Sequence, residues 1–240
     1  MEFPNKLLLC QCVAYFLGLL LSLLVVVPLA ENGSRFGDRC LLFSEASWRQ
    51  ENATGGSSVI SRFVVGAWGP PAGCHFCTFV GVFTLIFSAA QAWRTFFYLC
   101  KGHDDTLLSA FLNLVLSCSV LFLTIVASVM VSVGFSLWCD EVTDHGRMPN
   151  SCEEMQSMNL HLDVDTSSFY IHFRVAQFGL WSIWVVWAVL GVLAFLKVYR
   201  NYKRKELARC LAREKELLLD HSARRRPDQE QQQEAPSVFI

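Results

Sequence analysis

The sequence predicts an all-α membrane protein: a four-helix transmembrane bundle with a small extracellular cap and a cytoplasmic helical extension. Three observations carry that prediction. Residues 106–139 contain no Asp, Glu, Lys, Arg or His. The apolar run 107–137 exceeds by about ten the roughly twenty residues that cross a hydrocarbon core as helix. A soluble core helix of this length would show a polar face, and this one shows none. Secondly, 53% of the 240 residues are hydrophobic and the mean hydropathy is +0.36, because three further apolar segments accompany this one. In lipid each segment must satisfy its own backbone hydrogen bonds, which makes each a helix. Thirdly, the net charge of −1 hides an uneven distribution: eleven of the twenty Lys and Arg lie after position 196. Basic residues beside a span stay in the cytoplasm, so four spans place both termini there.

The elements follow in order. Residues 1–6 form a cytoplasmic start and 7–29 the first transmembrane helix, with Cys10 and Cys12 near its inner end. Those cysteines suit palmitoylation or simple packing. The run exceeds the h-region of a signal peptide, and Pro28 fits a cleavage site poorly, so the helix is expected to be retained. Residues 30–75 are the first extracellular or lumenal loop. It opens on Glu31-Asn32-Gly33, a turn signal. Two β-prone stretches, 39–43 and 62–65, could pair as a small sheet across a polar Gly/Ser-rich tip. Trp68-Gly69-Pro70-Pro71 then breaks the strand, with Trp68 as an interfacial anchor. Asn32 and Asn52 each begin an N-glycosylation tripeptide within this loop.

The second helix is 76–99, the cytoplasmic turn 100–106 and the third helix 107–137. Arg94 can snorkel to the headgroups. Gln91 and Asn113 lie at similar depth and are expected to face the bundle interior, in reach of one another, a contact worth about 1 kcal/mol. So few intramembrane polar groups argue against a substrate pathway. The second outer loop, 138–172, is acidic and irregular, with a short helix expected near 151–158. The fourth helix, 173–196, carries Trp181, Trp184 and Trp187 for packing against lipid and neighbours. Residues 197–221 continue as a cytoplasmic helix whose basic start meets anionic headgroups. The Arg- and Gln-rich residues 222–240 cannot bury a core and are expected to be a disordered tail.

Topology sorts the ten cysteines. Cys40, Cys74, Cys77, Cys139 and Cys152 lie on or near the oxidising side, where disulfides form. Cys139 with Cys152 would close loop two, and Cys40 with Cys74 would staple loop one to the second helix. Other pairings within this group remain open. Cys74-His75-Phe76-Cys77 supplies the one enzymatic alternative, a thiol–disulfide or quinone-linked oxidoreductase, since a C-x-x-C pair at a helix start can exchange disulfides. The bland reading, a structural Cys74 and a buried Cys77, is preferred. The six histidines are scattered, no phosphate-cradling glycine loop occurs, and no cofactor or nucleic acid is expected.

Two cytoplasmic patterns concern trafficking. Glu214 with Leu218 and Leu219 fits an acidic-dileucine sorting signal. Val238 and Ile240 give the terminus the apolar-x-apolar form that PDZ domains capture by strand addition.

Several longer strings are recognisable together: PLAENG (28–33), RCLLF (39–43), WGPPAGC (68–74), AWRTFFYLCKGH (92–103), SAFLNL (109–114), VSVGFSLWCD (131–140), SCEE (151–154), AQFGLW (176–181), AFLKVY (194–199) and EKELLL (214–219). On these the chain resembles the transmembrane protein 179 family. The resemblance implies a four-span membrane protein and brings no enzymatic activity with it. The architecture is also similar to that of claudin-like tetraspan proteins, with a larger cysteine-bearing first loop and a long third helix. The claudin arrangement of a Trp and two cysteines within loop one is not reproduced. The expected function is therefore that of a non-enzymatic scaffold or accessory subunit, in the plasma membrane or the secretory and endosomal route. Its expected partners are the bilayer, other membrane proteins, and PDZ or sorting adaptors.

Overall fold

The computed structural model describes residues 3–52, 59–101, 107–143, 151–157 and 167–233. Four long helices, α1 (Phe3–Arg35), α2 (Pro71–Lys101), α3 (Leu107–Thr143) and α4 (Phe169–Gln233), form a bundle. Between α1 and α2 lies an antiparallel hairpin, β1 (Cys40–Asn52) and β2 (Val59–Gly69). All four helices are long and apolar enough to cross a membrane. α1 packs on α2 and α4, and α3 packs on α4 and on β1, while α2 and α3 are in much less contact.

The bundle is held by small residues that admit a neighbour's branched side chain. Val25 of α1 nests between Gly81 of α2 and Gly179 of α4, and a Cβ at Gly179 would stand 2.8 Å from Val25 Cγ2. Gly18 opposes Ser88 in the same way. Close approach of this kind is how helices gain dispersion contact where lipid offers no hydrophobic drive. Trp187 fills the centre, fully buried, stacked on Phe87 at 5.5 Å and edge-on to Tyr15 at 5.9 Å. Outward from this core, Phe16, Phe79, Ile86, Phe122, Phe178 and Val192 are more than half exposed. That apolar girdle is what a bilayer would cover.

Several boundaries differ from the sequence reading. Glu31-Asn32-Gly33 is helical, not a turn. α1 ends instead at Arg35, closed off by Gly37, whose φ is +57°. Asp38 N–H donates to Gly33 O at 2.9 Å and Gly37 N–H to Ser34 O at 3.3 Å, the paired bonds of a Schellman terminus. α2 starts at Pro71, a residue whose missing N–H costs nothing at a helix start. The two β-prone stretches do belong to one hairpin, but 62–65 pairs with 46–49, while Cys40 lies opposite Gly69. A bulge between Cys40 and Ala46, with Phe43 at φ +62°, shifts the register. A bulge adds a residue to one strand and cannot be read from hydrophobic alternation alone.

The third helix runs past Leu137 to Thr143. At about 55 Å it is far longer than a hydrocarbon core is thick. Its extra turns support the hairpin. Trp138 is buried against Phe63 of β2, ring centroids 5.6 Å apart, and Trp48 Nε1 of β1 donates to Val142 O at 3.0 Å. Leu42 rests on Gly134. This second small core includes Met155, fully buried, from within the short helical turn Glu154–Ser157. That turn is all that the described residues show of the helix expected at 151–158.

α4 does not stop where the composition turns polar. The expected disordered tail, 222–240, is helical as far as Gln233. Residues 234–240, with the PDZ-ligand candidates Val238 and Ile240, lie outside the described residues, as do 102–106 of the expected cytoplasmic turn.

Candidate functional site

Chemistry-bearing residues gather at the two ends of the bundle. At the sheet end two disulfides lock the cap. Cys40, the first residue of β1, is bonded to Cys74 in the first turn of α2, with Cα atoms 5.8 Å apart. Cys139 on the last turns of α3 is bonded to Cys152, with Cα atoms 5.3 Å apart. Both separations lie where disulfides normally form. One bond therefore ties the hairpin to α2 and the other ties the second loop to α3. Between them the hairpin rests on two helices that are otherwise in little contact.

The C-x-x-C motif is divided by this arrangement. Cys74 is committed to Cys40, while Cys77 is a free thiol with 0% exposure, packed in the core. Thiol exchange needs an accessible thiolate, and nothing here supports the oxidoreductase alternative. Among the described residues no group of three His, Cys, Asp or Glu could hold a metal ion.

A node that the sequence did not announce joins α1 to α4 at the same end. His172 presents Nε2 to the Glu31 carboxylate at 3.2 Å and Nδ1 to Asn32 Oδ1 at 3.2 Å. Asn32 is only 4% exposed, and among the described residues its Nδ2 has no partner. A glycan acceptor must present its amide nitrogen to solvent, so Asn32 is poorly placed for that role. Asn52 ends β1 at the hairpin tip; Thr54 of its tripeptide lies outside the described residues.

At the opposite end all four helices contribute polar groups. Asn113 Nδ2 donates to the Tyr15 hydroxyl at 3.1 Å. Arg94 lies against the Tyr98 ring at 5.3 Å and bonds to the Ser109 hydroxyl. Gln91 and Asn113 line one small cavity together with Gln11, Arg94 and Lys197. The two residues expected to meet thus share a site, but the partner given to Asn113 is Tyr15 from α1. Tyr15 and Gln11 were readable as the polar positions of the first helix at matching depth. His172 gave no such signal, because its significance depends on the late ending of α1.

The fold is thus a four-span bundle with a long third helix and a disulfide-bearing hairpin between the first two spans. The family model of the transmembrane protein 179/179B claudin domain matches residues 7–219. The chain belongs to that family. It is a claudin-like tetraspan membrane protein, and the match extends from α1 into the projecting part of α4. No solved structure matches the chain. In this claudin domain the hairpin has two strands, fixed to α2 through Cys40–Cys74.

Proposed function

We propose that this tetraspan protein is a non-enzymatic scaffold or accessory subunit for other membrane proteins, with the sheet end lumenal or extracellular and both termini cytoplasmic. The observation that supports it best is the projecting part of α4. Residues 202–219 are exposed on every face. Leu207, Leu211 and Leu218 are 63%, 57% and 72% exposed and recur at the spacing of a helical seam. An isolated helix is marginal in water, and most helical stability comes from packing an apolar stripe. A partner laid along this stripe would supply that packing. Glu214, Leu218 and Leu219 are also open to a sorting adaptor, although such an adaptor and a partner helix would compete for Leu218.

Proximity labelling from the C-terminus tests the reading. A defined set of membrane proteins should be enriched over an unrelated four-span control. That set should be lost when Leu207, Leu211 and Leu218 are changed to Gln. An unchanged set in the variant, or one equal to the control's, sinks the scaffold reading.

The orientation has its own test. Asn52 is proposed as the glycan acceptor and Asn32 is not. Endoglycosidase should shorten the parent protein and the Asn32→Gln variant alike, and leave Asn52→Gln unchanged. A shift that disappears with Asn32→Gln would contradict the buried placement of that amide. No shift in the parent would remove the support for a lumenal hairpin.

A further inference from the structure

Free cysteines collect at the end of the bundle where α1 starts and α2 stops. Cys10 and Cys100 are exposed. Cys12 is half-buried and lies close enough to Cys100 for the two thiols to interact electrostatically. Cys10 is about 3 Å from Cys12 along the helix axis, so Cys10 and Cys100 stand at nearly the same level of the bundle. Lysines mark that level. Lys6 precedes Cys10 by one turn and Lys101 follows Cys100, and these two residues bound the membrane-length segments Lys6–Arg35 and Pro71–Lys101. Next to the thiols the surface turns apolar. Val13 lies one turn beyond Cys10 on the same face, and Trp93 and Phe96 share a face with Cys100; all three are more than half exposed. Lys101 Nζ sits over the Phe97 ring at 4.7 Å, at the same border. Both exposed thiols therefore stand where a rim of basic residues gives way to a lipid-facing surface.

We propose that Cys10 and Cys100 are S-acylation sites, each carrying a long acyl chain that lies along the exposed face beside Val13 or beside Trp93 and Phe96. The donor is a long-chain acyl-coenzyme A. The cysteine sulfur attacks the acyl carbonyl, and a new S–C bond forms as the thioester bond to coenzyme A breaks. The proton lost by cysteine ends on the departing coenzyme A thiol, and no electrons are exchanged. Position decides which thiols qualify, because the sulfur must meet a water-soluble donor while the chain enters the bilayer. Cys118 is also exposed, but it lies about 16 Å along α3 from Leu107, at hydrocarbon depth. Cys210 is exposed about 20 Å past Lys197 on the projecting part of α4, away from the bilayer. Cys77 is buried. The pair that the sequence singles out, Cys10 with Cys12 on one helix, thus becomes a pair across two helices, because Cys12 is partly covered beside Cys100. The chain already crosses the bilayer, so the acyl groups are not anchors. They change the lipid that borders α1 and α2, and hydrolysis of the thioester reverses the change. The proposal rests on the cytoplasmic orientation of this end given above, since acyl-coenzyme A is met on the cytoplasmic side.

Acyl exchange on the full chain, expressed in cultured cells, tests this. Free thiols are blocked with N-ethylmaleimide without reduction, thioesters are cleaved with hydroxylamine, and the thiols released are tagged with a maleimide-polyethylene glycol. Each acyl group then adds one mass step. The parent protein should show two steps that require hydroxylamine. Cys10→Ser and Cys100→Ser should each show one, and the double variant none. Cys118→Ser and Cys210→Ser should keep both. Retention of the Cys40–Cys74 disulfide reports that each variant has folded. Steps that persist in the folded double variant place the acyl groups elsewhere and overturn the assignment, as does a step lost with Cys118→Ser or Cys210→Ser. Orientation is read separately from the exposed thiol of Cys210. A membrane-impermeant maleimide should reach it only after digitonin opens the plasma membrane. No step in the parent with Cys210 reached in that way overturns the acylation and leaves the orientation standing. Cys210 labelled in intact cells, or protected until all membranes are dissolved, overturns the orientation and the acylation with it.

Discussion

Gly69→Ala is expected to unseat the hairpin from the bundle, with a loss of about 3 kcal/mol or more, at or beyond the upper end of ordinary overpacking. A Cβ at this position would run into the Leu42 carbonyl oxygen and lie 2.9 Å from the carbonyl carbon. Those are backbone atoms, so no rotamer change can relieve the contact. Moving them would disturb the bulge at Phe43 and lift Leu42 from Gly134, where the cap meets α3. Thermal unfolding in detergent, read by tryptophan fluorescence, checks this. For a chain of this size each kcal/mol corresponds to about 2–4 °C. Gly33→Ala provides the contrast: it sits in a helix with open space around it, and should be neutral or up to about 1 kcal/mol stabilising. Equal midpoints for the two variants would show that the close approach at Gly69 is not rigid.

Removing the Cys40–Cys74 bond with the double variant Cys40→Ser/Cys74→Ser should cost more than removing Cys139–Cys152. The first joins residues 34 apart and the second residues 13 apart. The chain-entropy account gives about 4 and about 3 kcal/mol respectively. The difference should be enlarged in practice, because the first bond fixes the start of β1 to α2, to which only β2 is joined through the backbone. Denaturation of the two double variants side by side reads the ordering directly, and a reversed order would place the cap's main support on α3. Alkylation mapping adds a chemical readout. In the parent protein Cys77 should be alkylated only after unfolding, without prior reduction. Recovery of a Cys74–Cys77 bond from folded protein would restore the oxidoreductase alternative.

The spans were legible because lipid imposes a simple rule, that charge must be absent for about twenty residues. The two disulfides were legible in part: the spans sort five cysteines to one side, and the expected pairs were two of several arrangements that stayed open. What failed was reading that depended on local signals. Glu31-Asn32-Gly33 carries turn chemistry, yet tertiary packing against His172 keeps it helical until Gly37 can adopt a left-handed φ. The β-prone pieces were recognised, but their register follows the bulge at Phe43. The expected end of α3 is Leu137, although Trp138 is buried, Asp140 and Glu141 are exposed and Val142 is buried under Trp48. That alternation marks an amphipathic continuation of the helix, and it was present in the sequence. Gln91 and Asn113 line the same small cavity, and Asn113 bonds to Tyr15. Their neighbours Tyr15 and Lys197 come from helices whose rotation only packing determines.

The unbroken course of α4 has a mechanical consequence. From Leu196 to Leu219 the helix continues for about 35 Å beyond the predicted span, on the axis of the segment packed against α1 and α3. A stiff rod anchored along one part of its length acts as a lever. A tilt of about 10° within the bundle would sweep Leu219 sideways by roughly 6 Å, given the rise per residue of an α-helix. Small adjustments of helix packing around Val25, Gly179 and Trp187 would therefore be read out as large displacements at the far tip.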